Sequence, residues 1–317
     1  MAHKVETMAY ANQVPWHGLG TQVEEGISAE DMVKSAKLGW KVALRDLYFR
    51  TGRNEKEYGV PRRHALIRTD RNEVLDIVGN RWNPVQNIDV VRFFQEYVSA
   101  GDAHIETAGS LDGGKLVWAL AKLNASFKLP GNDVSEGYVL LANPHQYGKS
   151  LIAKLTAVRV VCNNTLTMAL RGGTEVRLSH NRVFDAAAQQ AAKTQLGIAR
   201  EKFDAMAQVA RRLARMTLTS DDVTRISSEL LRADNPLATL EEQPRTVRRI
   251  VSLYDGEGQG SQLKSAKGTA WGLLNAVTEY VDHEYGHNPN NRLSHAWFGR
   301  GEALKRRASE TLLALTE

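Results

Sequence analysis

The chain changes its hydrophobic period once, near Arg182, and that change limits the folds open to it. Before that point short β-branched runs alternate with turn residues, the period-two signature of strands. After it, alanine-rich sequence repeats at helical spacing. Ala192, Leu196, Ala199, Phe203, Met206, Ala210 and Leu213 are spaced alternately by four and three, which makes a heptad seam. The seam predicts one long helix of roughly thirty residues, which at 1.5 Å per residue spans some 45 Å. The expected organisation is an α+β domain over residues 1–182, then an α-helical domain over 183–317 that serves packing or oligomerisation.

Local signals fill in the first part. Ser28 caps a helix over Ala29–Lys37, and Trp40–Phe49 reads as a strand. His64–Thr69 and Glu73–Val78 alternate around Asp70-Arg71-Asn72, a hairpin signal. Asn87 is placed to cap a helix over Ile88–Ala100 that stops at Gly101. Strands follow over Ala103–Ala108, Lys115–Leu123, Tyr138–Leu141 and Leu151–Val161. Helices inserted between hairpins point to an α+β class with a largely antiparallel sheet. In the second part, shorter helices are predicted over Asp221–Leu231 and Arg245–Leu253, a long one from about Lys264 to Tyr285, and a last one over Gly301–Leu315.

With 317 residues, 42% of them hydrophobic and 24% charged, the chain has globular composition and can bury a large core. Cys162 is the only cysteine, which rules out an intrachain disulfide and a thiolate metal cluster. No apolar run approaches bilayer length and Met1–Val14 carries no apolar signal core, so no membrane partner is expected. A soluble protein of a reducing compartment, the cytoplasm of a bacterial host, is the expected setting.

The net charge of +5 is concentrated in one window. Lys149, Lys154, Arg159, Arg171, Arg177 and Arg182 face a single acid there, Glu175, and the rest of the chain sums to zero. Alternation along Leu151–Val161 puts Lys154, Thr156 and Val158 on one face of a strand, with Leu155, Ala157 and Arg159 on the other. A structured basic ribbon is the electrostatic footprint of a phosphate-backbone binder, or else an ordinary solvated sheet face.

Two motifs resemble catalytic signatures without their context. His283-Glu284-Tyr285-Gly286-His287 spells a zinc-protease pattern, but Gly286 and the following Asn288-Pro289 end the helix that must hold both histidines. Asn143-Pro144-His145-Gln146-Tyr147-Gly148-Lys149-Ser150 nearly spells a phosphate-binding loop. Asn143 stands in place of the first glycine, and strand sequence follows where a helix N-terminus is needed. Neither a metal, a cofactor nor a catalytic residue is predicted.

Five segments together resemble a known family. They are Pro15-Trp16-His17-Gly18-Leu19-Gly20-Thr21, Gly79-Asn80-Arg81-Trp82, Thr107-Ala108-Gly109-Ser110, Arg159-Val160-Val161-Cys162-Asn163-Asn164-Thr165-Leu166, and Ala270-Trp271-Gly272-Leu273-Leu274-Asn275-Ala276-Val277. The last continues with Glu279-Tyr280 and Ala296-Trp297-Phe298-Gly299. In this order they resemble the phage/plasmid-like protein family of mobile elements, domain of unknown function 932. The resemblance implies a setting, phages and conjugative plasmids, and no catalytic residues. By analogy with single-strand annealing proteins, the expected function is non-catalytic binding and annealing of single-stranded DNA in recombination or genome maintenance. A homo-oligomer is expected. The alternatives are a structural or regulatory protein acting through protein contacts, and an enzyme of unrecognised chemistry. The candidate nucleic-acid residues are the basic window, the pairs Arg81 with Trp82 and Lys115 with Trp118, and Asn164; Asn163 or Asn164 is expected to cap a helix from about Thr165 to Leu170.

Overall fold

The computed structural model describes residues 4–12, 18–51, 56–159, 161, 164–166, 175–196, 199–286 and 292–316. Helix α1 (Ala29–Ser35) starts where Ser28 accepts the Asp31 amide, as its sequence predicts. Strands β1 (Val5–Tyr10), β2 (Thr21–Gln22), β3 (Val42–Phe49), β4 (Tyr58–Arg68) and β5 (Glu73–Gly79) occupy the rest of the first stretch. Next come α2 (Asn87–Arg92) and α3 (Gln95–Ser99), then β6 (Ala103–Leu111), β7 (Leu116–Leu129), β8 (Asp133–Pro144), β9 (Ser150–Arg159), β10 (Asn164–Leu166) and β11 (Glu175–Ser179). The remaining helices are α4 (Ala186–Leu196), α5 (Ala199–Leu213), α6 (Ser220–Leu231), α7 (Arg245–Ser252), α8 (Ala270–Glu279), α9 (Arg292–Phe298) and α10 (Arg300–Ala314).

The class is α+β with a large antiparallel sheet and a helical C-terminal part, as the period change predicts. Eight strands form one sheet in the order β10-β9-β8-β7-β6-β1-β2, with β11 also on β9; β3-β4-β5 form a second. Of the registered pairs only β1 with β2 is parallel. The turn from β7 to β8 places Gly131 and Asn132 at φ 83° and 62°, which matches the twist of a hairpin. No helix among the described residues is long and apolar enough to cross a membrane.

The chain divides into two compact units, 1–124 with 139–154 and 175–197, and 125–138 with 155–174 and 198–317. In the first, Gly109 pairs with Trp118 across β6 and β7. A Cβ on Gly109 would fall 2.2 Å from the indole, so the absent side chain is what lets Trp118 lie flat in the core. Arg68 is buried there as well. It donates to Glu6 at 2.8 Å and to Asp70 at 2.9 Å, and its guanidinium lies 4.3 Å over the Trp40 ring. These partners offset the cost of taking the cation out of water.

In the second unit Thr269 caps α8 by accepting the Gly272 amide at 3.1 Å. Gly272 is required because a Cβ would fall 2.0 Å from the Ala266 carbonyl. Trp271 is fully buried and donates its Nε1–H to Asp133 at 2.9 Å, alongside Ser265 at 2.6 Å.

Several expectations need correction. The helix over Ile88–Ala100 is two helices, because Phe93 and Phe94 turn inward between them. Asn87 does not cap; its side chain donates to the carbonyls of Leu38 and Trp40. The helix from Lys264 begins only at Ala270 and passes into a π turn over Tyr280–Glu284, with Tyr285 extended. Thr165 and Leu166 lie in β10, not in a helix, so no helix begins directly after Asn164; residues 167–170 lie outside the described ones. The heptad seam is carried by α4 and α5, with residues 197 and 198 outside the described ones. Its Ala192, Phe203, Met206, Ala210 and Leu213 are buried.

Candidate nucleic-acid interface

The site begins with an interruption in β4. Asp46 pairs with His64 and Tyr48 with Gly59, so one residue of β3 faces the four residues Val60–Arg63. Pro61 has no N–H to give to the ladder, which favours a bulge at this place. Within it Arg62 takes φ 58°, a conformation that costs a side-chain-bearing residue about 1 kcal/mol or more. Arg63 then rejoins the sheet opposite Gly79 of β5. The bulge brings both arginines to the wall of a cleft of about 410 Å³.

The turn between β8 and β9 supplies a second wall. The Tyr147 amide donates to Asp76 at 2.8 Å, and Gly148 at φ 74° lets the chain reverse before Lys149. Tyr147 is 57% exposed, with the Arg63 guanidinium 5.2 Å from its ring centre. Trp82 lies below, buried and stacked on His180 with ring centres 4.0 Å apart and planes 13° from parallel. The Asn83 amide and side chain both donate to the His180 carbonyl, at 2.7 and 3.1 Å, and so hold the segment carrying Arg81 against the end of β11. Arg62, Arg63, Arg81 and Lys149 are the cations of the lining, and none of the described lining residues is acidic.

Two buried histidines support this region. Burial, reinforced by His180 and Arg68, pulls the pKa of His145 down to about 3. Burial also lowers His180, opposed by hydrogen bonds to the carbonyls of Asn83 and Pro144. Both are therefore neutral near pH 7, and the unfolded chain takes up their protons first as pH falls. Stability is expected to be full above about pH 6.5 and to decline below it, by up to about 1.4 kcal/mol per pH unit from His145 alone. Denaturant titrations at neutral and mildly acidic pH check this, and a His145→Gln variant should show a shallower pH dependence.

The structure brings together only part of the predicted set. Arg81, Trp82 and Lys149 line the cleft. Trp118 is core, and Lys154, on the face it shares with Thr156 and Val158, is buried because β9 is covered on both sides from Leu151 to Ala157. Lys115 is half-buried outside the lining and accepts the His145 amide through its carbonyl. Arg177 is exposed but paired with Glu175 at 2.6 Å, and Arg182 is exposed outside the lining. The backbones of Arg159 and Asn164 pair with each other across β9 and β10; their side chains, and all of Arg171, lie outside the described residues. Arg62, Arg63 and Tyr147 escaped the sequence reading. Their available signal was a Pro-Arg-Arg run interrupting strand sequence, and an aromatic next to Gly148-Lys149.

The two motifs resembling catalytic signatures resolve locally. A strand, β9, begins at Ser150 directly behind Lys149, so no helix N-terminus cradles phosphates there. Glu284 is held by Arg249 at 2.7 Å as the helix ends, and His287 lies outside the described residues.

No curated protein and no solved structure matches this chain. A family model described as "Domain of unknown function (DUF932)" matches residues 74–298, which include Arg81, Trp82, Tyr147, Lys149 and the second wall of the cleft. The chain belongs to that family.

Proposed function

We propose that the protein binds single-stranded DNA through this cleft, without catalysis, and serves annealing or recombination for a phage or plasmid. One observation carries the reading: four cations from three separate segments converge on a lining that has no acid among its described residues and an exposed, arginine-backed tyrosine at its edge. Clustered cations neutralise phosphates and release counterions, while an exposed aromatic stacks an unpaired base. Annealing requires two strands held with bases free, so several copies of the site acting together are part of the proposal.

Mobility shifts across a salt series test it. The affinity for an oligonucleotide is expected to fall by about 0.7 log unit per log unit of salt for each phosphate neutralised. Four engaged cations give a slope of roughly 2–3. Binding that ignores salt, or no binding at low salt, would sink the proposal and favour a role through protein contacts.

A further inference from the structure

The hairpin of β3 and β4 extends past the third strand of its sheet. Strand β5 pairs only with Arg63–Arg68, whereas β3 continues beside β4 as far as Phe49 opposite Tyr58. On this two-stranded ribbon Tyr48, Phe49 and Tyr58 are 59%, 49% and 48% exposed. Phe49 and Tyr58 stack on each other with ring centres 5.5 Å apart, and Arg50 donates to Glu57 at 3.1 Å just beyond them. A lone two-stranded ribbon is marginal in water, and large aromatics gain little by facing solvent. Cross-strand stacking accounts for part of the pair's presence, and it leaves the outer faces of both rings unused.

We infer that this aromatic pair is a stacking platform for unpaired bases of the strand whose phosphates the cleft holds. The inference rests on the proposed function and adds the origin of single-strand preference to it. Continuity supports this occupant. Tyr58 lies on the same strand as Arg62 and Arg63, four and five residues away, within about 17 Å at strand spacing. Arg50, next to Phe49, is paired with Glu57, and the ribbon offers exposed ring faces where the cleft offers charge. Each element alone would be a poor reader: charge ignores base pairing, and stacking requires bases that are already free.

The test compares an oligothymidine, an abasic oligomer of equal length and a duplex, using wild type, Phe49→Ala/Tyr58→Ala and Phe49→Thr/Tyr58→Thr. The threonine variant preserves strand propensity, so loss of the ribbon is separated from loss of the rings. Wild type is expected to bind oligothymidine at least about 5-fold more tightly than the abasic oligomer. Both variants are expected to lose that margin and keep the salt slope. Equal binding of oligothymidine and abasic oligomer by wild type overturns the platform, as does a folded variant that keeps the margin. Salt-dependent binding persisting in those cases leaves the cleft standing; absence of binding to every oligomer overturns both.

Discussion

Reversing Arg81 and Lys149 together is expected to weaken single-strand binding by on the order of 100-fold at low salt. It should also flatten the salt slope by about 1.4, the share of two phosphate contacts. Both side chains are exposed in the lining of the cleft, so the double variant should stay within about 1 kcal/mol of wild-type stability. Arg182→Glu is the control. Arg182 is equally exposed and basic but stands outside the lining. If reversing it weakened binding as much, net charge and not the cleft would be responsible. If the double variant bound like wild type while folded, the interface would lie elsewhere on the protein.

Why only Lys149 of the basic window lines the cleft, among its described side chains, can be traced to strand pairing. Six cations and one acid between Lys149 and Arg182 read along the chain as a ribbon. In the fold, Glu175 of β11 stands directly opposite Lys154 of β9 and also pairs with Arg177. Alternation along β9 separates Lys154 from Arg159, but both faces are covered from Leu151 to Ala157, so Lys154 is not on a solvated one. The cleft instead collects Arg62 and Arg63 from a bulge, Arg81 from the segment after β5, and Lys149 from a turn. No local pattern links those positions, because only the pairing of distant strands makes them neighbours. The legible features were the ones set within a few residues: the Ser28 cap, the hairpin around Asp70-Arg71-Asn72, and the helix end at His283–Tyr285. The helix over Ile88–Ala100 failed for the complementary reason. Its hydrophobic spacing was sound, but burial of both Phe93 and Phe94 and the recruitment of Asn87 by α1's following loop broke it in two.

Removing the carboxylate of Asp282 is expected to be the most destabilising single change in the second unit, at about 3–5 kcal/mol. Lys305 of α10 is fully buried, and its ammonium donates to Asp282 at 2.8 Å. An Asp282→Ala variant keeps the buried cation and deletes the charge that compensates it. Replacing both members, as Asp282→Ala/Lys305→Met, removes the desolvation cost along with the attraction and should recover most of the loss. Guanidinium titrations of the two single variants and the double variant give the coupling directly. Additive losses would mean that the pair is not what holds α10 against the π turn over Tyr280–Glu284. Because every cleft residue belongs to the first unit, the folded fraction of Asp282→Ala should bind oligonucleotide with its salt slope intact. The Arg81/Lys149 reversal should do the opposite, keeping stability and losing affinity. A variant that lost both together would show that the cleft depends on the packing of the second unit.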